Sequence, residues 1–311
     1  MEVPIVFCFD KNHAAYAAVA THSLLKNAKF PVQVYWIVPS HQLESITRYS
    51  EGFVQSGFHV SVLGADDGSF SGWREFIHIT RAAYLKLLAP SLLSHQKALY
   101  LDTDTLVVSD ISKLLEIDIG DNLFAGVPDP DGAKTSKVPM RDTYINSGVL
   151  LMNLKALRED GFLEKTKAIY SQYEREIMWA DQCLINKYAE DKKLIIGAEF
   201  NRQIFPNSMT GKDWDLLYAG NETKIFHFLG PTKPWMEWCN PSVRDAWWAY
   251  ANALKLDEVK IIKADTLDRV LLLAGVLHLN EKYQEASTLK TDIINALMAE
   301  IKRLQPFAGP R

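Results

Sequence analysis

The chain has 311 residues and a mass of 35.2 kDa, which is enough for one large α/β domain or two small ones. Apolar residues make up 48% and charged residues 23%, so the composition is that of a folded globular protein and not of a disordered one. The 34 basic and 38 acidic side chains give a net charge of −4, which argues against nucleic acid as the main partner.

The three cysteines, Cys8, Cys183 and Cys239, are odd in number and fit neither a zinc spacing nor a disulfide framework, which indicates a reducing cytosol. The N-terminal MEVPIVFCFD lacks the basic region of a secretory signal. No apolar run reaches the roughly 18 residues that span a bilayer. We therefore expect a cytoplasmic protein without a transmembrane segment.

Short apolar runs alternate with helical patterns along the first 250 residues. In chain order we predict a strand at 3–9, a helix at 14–29, strands at 32–38 and 59–64 with a helix at 40–50 between them, a helix at 81–93, and strands at 98–102, 105–109, 148–154 and 224–229. Because most of these strands are continuously apolar, we predict a mainly parallel sheet buried between helices. Such sheets bind ligands at the carboxyl ends of their strands.

The polar residues after the first strand are Asp10, Lys11, Asn12 and His13. An acidic residue and an amide at this place can hydrogen-bond a nucleobase and a ribose, but Asp10 or Asn12 can equally cap the following helix. The chain contains neither G-x-G-x-x-G after the first strand nor G-x-x-x-x-G-K-[ST]. A Rossmann dehydrogenase and a P-loop enzyme therefore both lack their main signature.

Asp102 and Asp104 follow the apolar run ALYL. A carboxylate at the end of a buried strand is costly unless it is paired or binds a metal ion, and aspartates two apart on an extended segment project to the same side. Oxygen ligands so placed suit Mg²⁺ or Mn²⁺, which can hold a diphosphate. We interpret the other D-x-D patterns, at 129–131 and 213–215, as turns or caps because neither follows a predicted buried strand.

His227 lies in an apolar segment, where a histidine is most often a satisfied core residue. The chain then reaches Gly230, which permits close backbone approach, and Lys233, whose charge suits a phosphate. A neutral imidazole beside two carboxylates is a donor set that Mn²⁺ accepts. His227 is therefore a candidate third ligand.

The region from residue 251 onward has helical patterns at 267–279 and 286–304, joined by a short linker. This arrangement predicts an antiparallel helical hairpin. We therefore divide the chain into a domain at 1–250 and a C-terminal helical extension at 251–311. The extension either packs against the first domain or serves homodimerisation or docking to another protein.

Seven blocks of the chain occur in the order and approximate spacing of one enzyme family. They are FCFDKNHAAY (7–16), HITRAAYLKLLAP (78–90), LYLDTDTLV (99–107), YINSGVLLMNL (144–154), ADQCLIN (180–186), EFN (199–201) and HFLGPTKPW (227–235). On these blocks the sequence resembles the retaining nucleotide-sugar glycosyltransferases of family eight, which are relatives of bacterial lipopolysaccharide galactosyl- and glucosyltransferases and of glycogenin.

The resemblance implies an α/β fold of the GT-A type, with a mainly parallel central sheet flanked by helices and 1–250 as its catalytic domain. It implies a hexosyltransferase that moves galactose or glucose from a UDP-sugar to a saccharide or other hydroxyl acceptor, with retention of configuration. It places the enzyme in the cytoplasm, where contact with the inner face of a membrane is a further expectation. The C-terminal segment is less basic than the membrane-associating tails of some family members.

The resemblance also implies a role for each matching residue. Asp102, Asp104 and His227 would bind Mn²⁺ or Mg²⁺. Asp181 would hold the sugar hydroxyls and Gln182 would lie near the reacting carbon, as the catalytic pair. The residues implied for donor binding, from the uridine pocket to the sugar and diphosphate, are Asp10, Asn12, His13, Lys86, Asp102, Asn146, Asp181, Gln182, Gly230 and Lys233.

Each of these added residues also has an ordinary structural interpretation. Asn146 can belong to a turn before a strand, Asp181 can cap a helix, and Lys86 can be a solvated surface residue. Three positions depart from the common family pattern: His13 replaces an aromatic residue, Lys86 an arginine, and Cys183 a second aspartate. These departures keep open a catalytically reduced sugar-nucleotide or protein-binding module that uses the C-terminal helices. A nucleotidyltransferase is a third alternative, but its Gly-rich basic loop is missing.

Because an amide is a poor nucleophile, Gln182 favours same-face attack by the acceptor through a short-lived ion pair over a covalent intermediate.

An aromatic-rich segment after His227 contains four tryptophans, namely Trp235, Trp238, Trp247 and Trp248. Aromatic faces can hold sugar rings or fill a core, and we expect core packing for at least two of the four.

Overall fold

A computed structural model of the chain describes residues 3–76 and 80–304, with only the backbone of Leu304. His78 and Ile79, at the start of the predicted block 78–90, lie outside the described residues. The same is true of residues 305–311, at the end of the predicted extension.

Two sheets hold the strands of the described part of the chain. The strands are β1 (Ile5–Cys8), β2 (Gln33–Pro39), β3 (His59–Ala65), β4 (Ala98–Leu101), β5 (Thr105–Val107), β6 (Phe124–Pro128), β7 (Ile145–Met152), β8 (Lys193–Ile195), β9 (Arg202–Ile204) and β10 (Ile225–Phe228). The larger sheet has the order β3-β2-β1-β4-β7-β6-β8, and the smaller sheet has the order β5-β10-β9.

Parallel pairing dominates the larger sheet, as the apolar runs predict. Strands β3, β2, β1 and β4 are parallel neighbours, and β7 runs antiparallel to β4 and β6. Every residue of β1, β4 and β7 is buried, which explains why β1, β4 and the second half of β7 are continuously apolar. The first residues of antiparallel β7 therefore meet the carboxyl end of β4, where the backbone N–H of Asp102 donates to the carbonyl of Gly148 at 2.8 Å.

Helices and strands alternate along much of the chain. They are α1 (Ala14–Asn27), α2 (Leu43–Gln55), α3 (Ala89–Leu92), α4 (Ser112–Glu116), α5 (Pro130–Thr135), α6 (Leu154–Glu159), α7 (Phe162–Tyr173), α8 (Ala180–Tyr188), α9 (Gly211–Ala219), α10 (Pro241–Leu254), α11 (Leu267–Leu279) and α12 (Tyr283–Leu304). None of the described helices combines the length and the hydrophobicity that crossing a bilayer requires.

The helix predicted at 81–93 is present, but most of it is a 3₁₀ helix. Arg81–Leu88 forms a 3₁₀ helix, and only Ala89–Leu92 is α-helical. A continuous α-helix would need the N–H of Pro90 to bond the carbonyl of Lys86, but proline has no N–H and its ring meets that carbonyl. Ala89 donates to the same carbonyl instead, as the tighter 3₁₀ pattern requires.

The predicted strands are confirmed, but the strand predicted at 148–154 begins earlier, at Ile145. Three strands were not predicted: β6, β8 and β9. Strand β6 reads FAGVP, whose glycine and proline are weak strand formers, and β8 and β9 have three residues each.

The chain divides into two compact units. Unit 1 comprises the residues up to Ile204 together with Gly220–His227, and unit 2 comprises Phe205–Ala219 and Phe228–Arg311. Within unit 2, α11 and α12 are in contact and are joined by three residues, so the predicted C-terminal helical segment is confirmed. The predicted domain boundary at residue 250 stays a prediction, and helix α10 runs through this position.

Candidate active site

Asp102, Asp104 and His227 meet at the link between β4 and β5 in unit 1. Asp102 follows β4, Asp104 precedes β5, and His227 lies on β10 opposite Thr105 of β5. Nε2 of His227 is 3.2 Å from Oδ1 of Asp104 and 3.7 Å from Oδ2 of Asp102. One ligand atom from each residue lies within 4.8 Å of the others. Two carboxylates and an imidazole so placed suit a divalent metal ion.

The backbone of Gly148 closes against these three ligands. A β-carbon added there would lie 2.1 Å from Cε1 of His227 and 2.7 Å from Oδ2 of Asp102, so only glycine leaves room for both. Residues 146–148 lie inside β7, so the interpretation of this segment as a turn before a strand is wrong. Asp102 is also held by Tyr100, whose hydroxyl donates to Oδ1 at 2.5 Å.

Lys86 joins two carboxylates of the predicted site. Its Nζ is 2.8 Å from Oδ2 of Asp181 and 3.4 Å from Oδ1 of Asp102, and it donates to the carbonyl of Ser147 at 3.1 Å. The residue is only 1% exposed, so the interpretation as a solvated surface lysine is wrong. Burial alone would lower the pKa of Lys86, but the two carboxylates raise it above its ordinary value, so the ammonium stays charged.

Asp181 and Gln182 lie in the first turn of α8. Asp181 accepts from the hydroxyl of Ser147 at 2.8 Å, in addition to its contact with Lys86. Gln182 accepts from the N–H of Ser147 at 2.9 Å and donates to Asp129 at 2.9 Å. Neither side chain caps α8, whose N-cap residue is Trp179, so the cap interpretation of Asp181 is wrong. Strand β7 instead fixes both side chains.

Asp129 was missed as a site residue. It caps α5 through the N–H of Gly132 at 2.7 Å, as interpreted, but its other oxygen accepts from Gln182 and, at 3.4 Å, from Asn146. It directly follows β6, so this D-x-D pattern does come after a largely buried strand, contrary to the interpretation from the sequence. The apolar run at 124–128 was the available signal, hidden by its glycine and proline.

Asn201 was also missed, although it belongs to one of the matching blocks. It directly precedes β9 and is 1% exposed. Its Oδ1 is 3.1 Å from Nδ1 of His227, and its Nδ2 donates to Oδ1 of Asn146 at 3.0 Å. It therefore links a predicted metal ligand to a predicted donor-binding residue.

Asp10, Asn12 and His13 follow β1, at the same edge as Asp102, because β1 and β4 are parallel neighbours. Asp10 accepts from the N–H of Asn12 at 2.9 Å, so it does cap the short helix at 11–13. Its carboxylate also faces Nδ1 of His13 at 3.3 Å and accepts from the hydroxyl of Thr80 at 2.9 Å. Burial acts to raise the pKa of Asp10, but these contacts together lower it below its ordinary value.

The predicted diphosphate residues lie in unit 2. Gly230 has φ +75°, a left-handed conformation that favours glycine, and Nζ of Lys233 donates to the carbonyl of Phe228 at 2.6 Å. Three of the four tryptophans, Trp235, Trp238 and Trp247, are buried, so the expectation of core packing for at least two is confirmed.

A family model matches most of the chain. The model for glycosyl transferase family 8 matches residues 4–239. The chain belongs to glycosyl transferase family 8. General stress protein A of Bacillus subtilis is 27% identical over 276 residues, which cover 82% of this chain and 95% of the relative.

Solved structures show the same fold. The galactosyltransferase LgtC, in complex with donor and acceptor sugar analogs, superposes with a TM-score of 0.70 at 23% identity and covers 82% of this chain and 97% of its own. Glycosyltransferase GlyE of Streptococcus pneumoniae superposes with a TM-score of 0.59 at 20% identity, over 80% of this chain and 61% of its own. The predicted GT-A fold is confirmed.

One departure from the family 8 pattern has a structural explanation here. Cys183, where many members have an aspartate, is fully buried, and its Sγ lies 3.3 Å from the hydroxyl of Tyr144. A carboxylate in this place would need a partner that the cysteine does not. Asp129, Asp181 and Gln182 supply hydrogen-bond partners for Asn146 and Ser147 of β7 in this chain.

Proposed function

We propose that this family 8 glycosyltransferase moves a hexose, galactose or glucose, from a UDP-sugar to a hydroxyl of a saccharide or similar acceptor, with retention of configuration. The observation that carries the proposal is the triad of Asp102, Asp104 and His227, next to the cluster of Lys86, Asp181 and Gln182. Carboxylates beside one edge of a buried sheet suit a donor that carries a diphosphate and a sugar.

The triad is proposed to hold Mn²⁺ or Mg²⁺. A divalent cation in this place would neutralise the negative charge that develops on a departing diphosphate. A role for Gly230 and Lys233 in diphosphate binding stays a prediction from the sequence. Asp10, Asn12 and His13 are proposed to bind the uridine.

Asp181 and Gln182 are proposed to act on the sugar, with Asn146 beside them. Asp181 would accept hydrogen bonds from the sugar hydroxyls through the lone pairs that Lys86 and Ser147 leave available. Gln182 is bonded at both ends of its amide, to Ser147 and Asp129, which suits a group that holds its place beside the anomeric carbon. An amide so held favours same-face attack by the acceptor over a covalent intermediate.

The alternative of a catalytically reduced binding module uses the C-terminal helices and needs no metal. We do not favour it, because the three ligands and the carboxylate cluster are assembled in the described structure. A homodimer through α11 and α12 stays a prediction.

The test is UDP release from UDP-galactose and UDP-glucose, with and without EDTA. We expect release that requires the divalent ion, and Asp104→Asn should reduce it sharply. Asp213→Asn is the matched control, since Asp213 belongs to another D-x-D pattern and its carboxylate accepts from the N–H and the hydroxyl of Thr210. Donor binding without release would favour the binding module. NMR of the product should show the anomeric configuration of the donor, and an inverted product would contradict the proposal.

A further inference from the structure

We infer that Asn201 is a positioning residue that fixes the proton of His227 on Nδ1 and leaves a lone pair on Nε2, directed toward Asp102 and Asp104. The proposed function assigns no role to Asn201. The metal-binding part of the inference rests on that function, whereas the proton position can be measured without it.

The inference begins with a backbone N–H group of β7. The N–H of Gly148 donates to Oδ1 of Asn146 at 2.9 Å. Since a backbone N–H can only donate, the atom that faces it is the amide oxygen of Asn146. The amide nitrogen of Asn146 then faces a carboxylate oxygen of Asp129 at 3.4 Å, where a donor is required. The orientation of the Asn146 amide is thereby set.

The orientation of Asn201 follows from that of Asn146. Nδ2 of Asn201 donates to Oδ1 of Asn146 at 3.0 Å, and the flipped amide would bring two oxygens together there. The oxygen of Asn201 is therefore the atom 3.1 Å from Nδ1 of His227. An amide oxygen has only lone pairs to offer, so this contact is a hydrogen bond only when Nδ1 carries the proton.

The other nitrogen of the ring faces the aspartates. With the proton on Nδ1, a neutral ring presents a lone pair from Nε2, which is 3.2 Å from Asp104 and 3.7 Å from Asp102. Lone pairs and carboxylates repel each other, so the arrangement becomes favourable when a cation lies between them. The opposite tautomer would donate from Nε2 to Asp104 and would occupy the lone pair that a metal ion needs.

Burial makes the contact with Asn201 decisive. His227 is 3% exposed and Asn201 is 1% exposed, so solvent has little access to replace the amide as acceptor.

Another backbone N–H of β7, that of Ser147, fixes the amide of Gln182 in the same way. Asp129 accepts from both Asn146 and Gln182. One connected set of hydrogen bonds therefore orients the proposed metal ligand and the residue proposed to lie near the reacting carbon.

The experiment measures the proton position directly, by NMR of the metal-free full chain with ¹⁵N-labelled histidine in alkaline buffer. The His227 signals are identified by their loss in His227→Gln. We expect the wild-type ring to carry its proton on Nδ1. Asn201→Asp keeps an acceptor for Nδ1 of His227, although it loses the donor to Oδ1 of Asn146, and should keep this tautomer. Asn201→Ala removes the acceptor and should allow the proton to move to Nε2. A wild-type ring protonated on Nε2 alone, or an unchanged ring in Asn201→Ala, would overturn the inference.

Calorimetric titration with Mn²⁺ tests the consequence for the metal. Loss of the residue that orients a ligand weakens metal binding by about 10–100-fold, and we expect a loss in this range for Asn201→Ala. Asn240→Ala is the matched control, because Asn240 is equally buried but bonds Asn207, Met209 and Ser242. It should change neither the tautomer nor the affinity.

The outcomes separate this inference from the proposed function. If wild type binds no Mn²⁺ but shows the expected tautomers, the metal-assisted function fails and the role of Asn201 in fixing the proton stands. If Asn240→Ala shifts the His227 tautomer as much as Asn201→Ala does, the effect comes from general loosening and the inference is wrong. If Asn201→Ala does not fold, the NMR signals of His227 in wild type and in Asn201→Asp still test the inference.

Discussion

Lys86 and Asp181 form a buried ion pair, with Nζ 2.8 Å from Oδ2. The same ammonium lies 3.4 Å from Asp102. One positive charge therefore holds both the carboxylate proposed for the sugar and a carboxylate proposed for the metal ion. Lysine keeps the charge of the arginine that many family members have, although it lacks the forked geometry. We propose that its main contribution to donor binding is the placement of these two aspartates.

Replacing Lys86 by methionine tests this role. The change leaves two aspartates buried or half-buried without their cation, and breaking a buried pair in this way costs about 3–5 kcal/mol. We expect Lys86→Met to lower the free energy of unfolding, measured with urea, by about that amount. UDP release should fall as well, while Lys86→Arg should keep part of both because the charge remains.

Lys97→Met provides the control. Nζ of Lys97 donates to the carbonyls of Leu115 and Ile117 at 2.8 and 3.0 Å, so this variant removes a half-buried lysine whose carboxylate neighbour, Asp118, is exposed. It should leave donor turnover near the wild-type value. Equal losses of turnover in Lys86→Met and Lys97→Met would show that Lys86 has no special relation to the site.

Gly148→Ala should damage the metal site directly. The added methyl group would lie 2.1 Å from Cε1 of His227 and 2.7 Å from Oδ2 of Asp102, so at least one ligand must move. We expect the affinity for Mn²⁺ to fall by more than the roughly 100-fold seen when an outer partner of a ligand is lost. Calorimetric titration of the folded variant, checked by circular dichroism, measures the change.

Gly52→Ala is the matched substitution for this test. Gly52 lies in α2, and an added β-carbon there has no atom within 4 Å. Alanine is favoured over glycine in a helix by up to about 1 kcal/mol, so this variant should be slightly more stable and bind Mn²⁺ as wild type does. Wild-type affinity in Gly148→Ala would contradict the proposed ligand set.

Asp129→Asn should affect catalysis more than donor binding. Asp129 accepts from the amide of Gln182 at 2.9 Å, and an asparagine there can present its own N–H₂ group to that donor. Gln182 would then lose its fixed orientation, so we expect kcat to fall by about tenfold or more while KM for the donor changes less. Steady-state kinetics of UDP release give both constants.

Asp131→Asn serves as the control for Asp129, since it lies two residues further along and is exposed on α5. It should leave both constants unchanged. If Asp129→Asn also leaves kcat unchanged, Asp129 only caps α5 and the proposed positioning of Gln182 is wrong.

The sequence predicts the frame of this site better than its hydrogen bonds. The strand that ends at Leu101 and the strand that carries His227 are strongly apolar, so the positions of Asp102 and His227 relative to the sheet follow from local patterns. The meeting of Asp104 with His227 depends on the register of β5 with β10, which no short segment encodes.

Asp129 and Asn201 illustrate what the sequence could not predict. Asp129 follows β6, which contains a glycine and a proline, and Asn201 precedes β9, which has only three residues. Both act through partners far away in sequence. Lys86 was assigned to the site, but its burial depends on two aspartates that are 16 and 95 positions away in the numbering. Such contacts become visible only when the fold places them together.

The pH dependence of stability should show the contribution of Asp10. Its pKa is lowered because His13, Thr80 and the N–H of Asn12 outweigh the effect of burial. A carboxyl group with a lowered pKa stabilises the fold at pH values above its pKa in the unfolded state, which is about 3.9. This contribution is lost as the pH falls through the pKa of the group in the folded state. Urea unfolding of wild type and Asp10→Asn should therefore differ at neutral pH, and the difference should shrink steadily below about pH 4. A difference between wild type and Asp10→Asn that stays constant across this range would contradict the assignment.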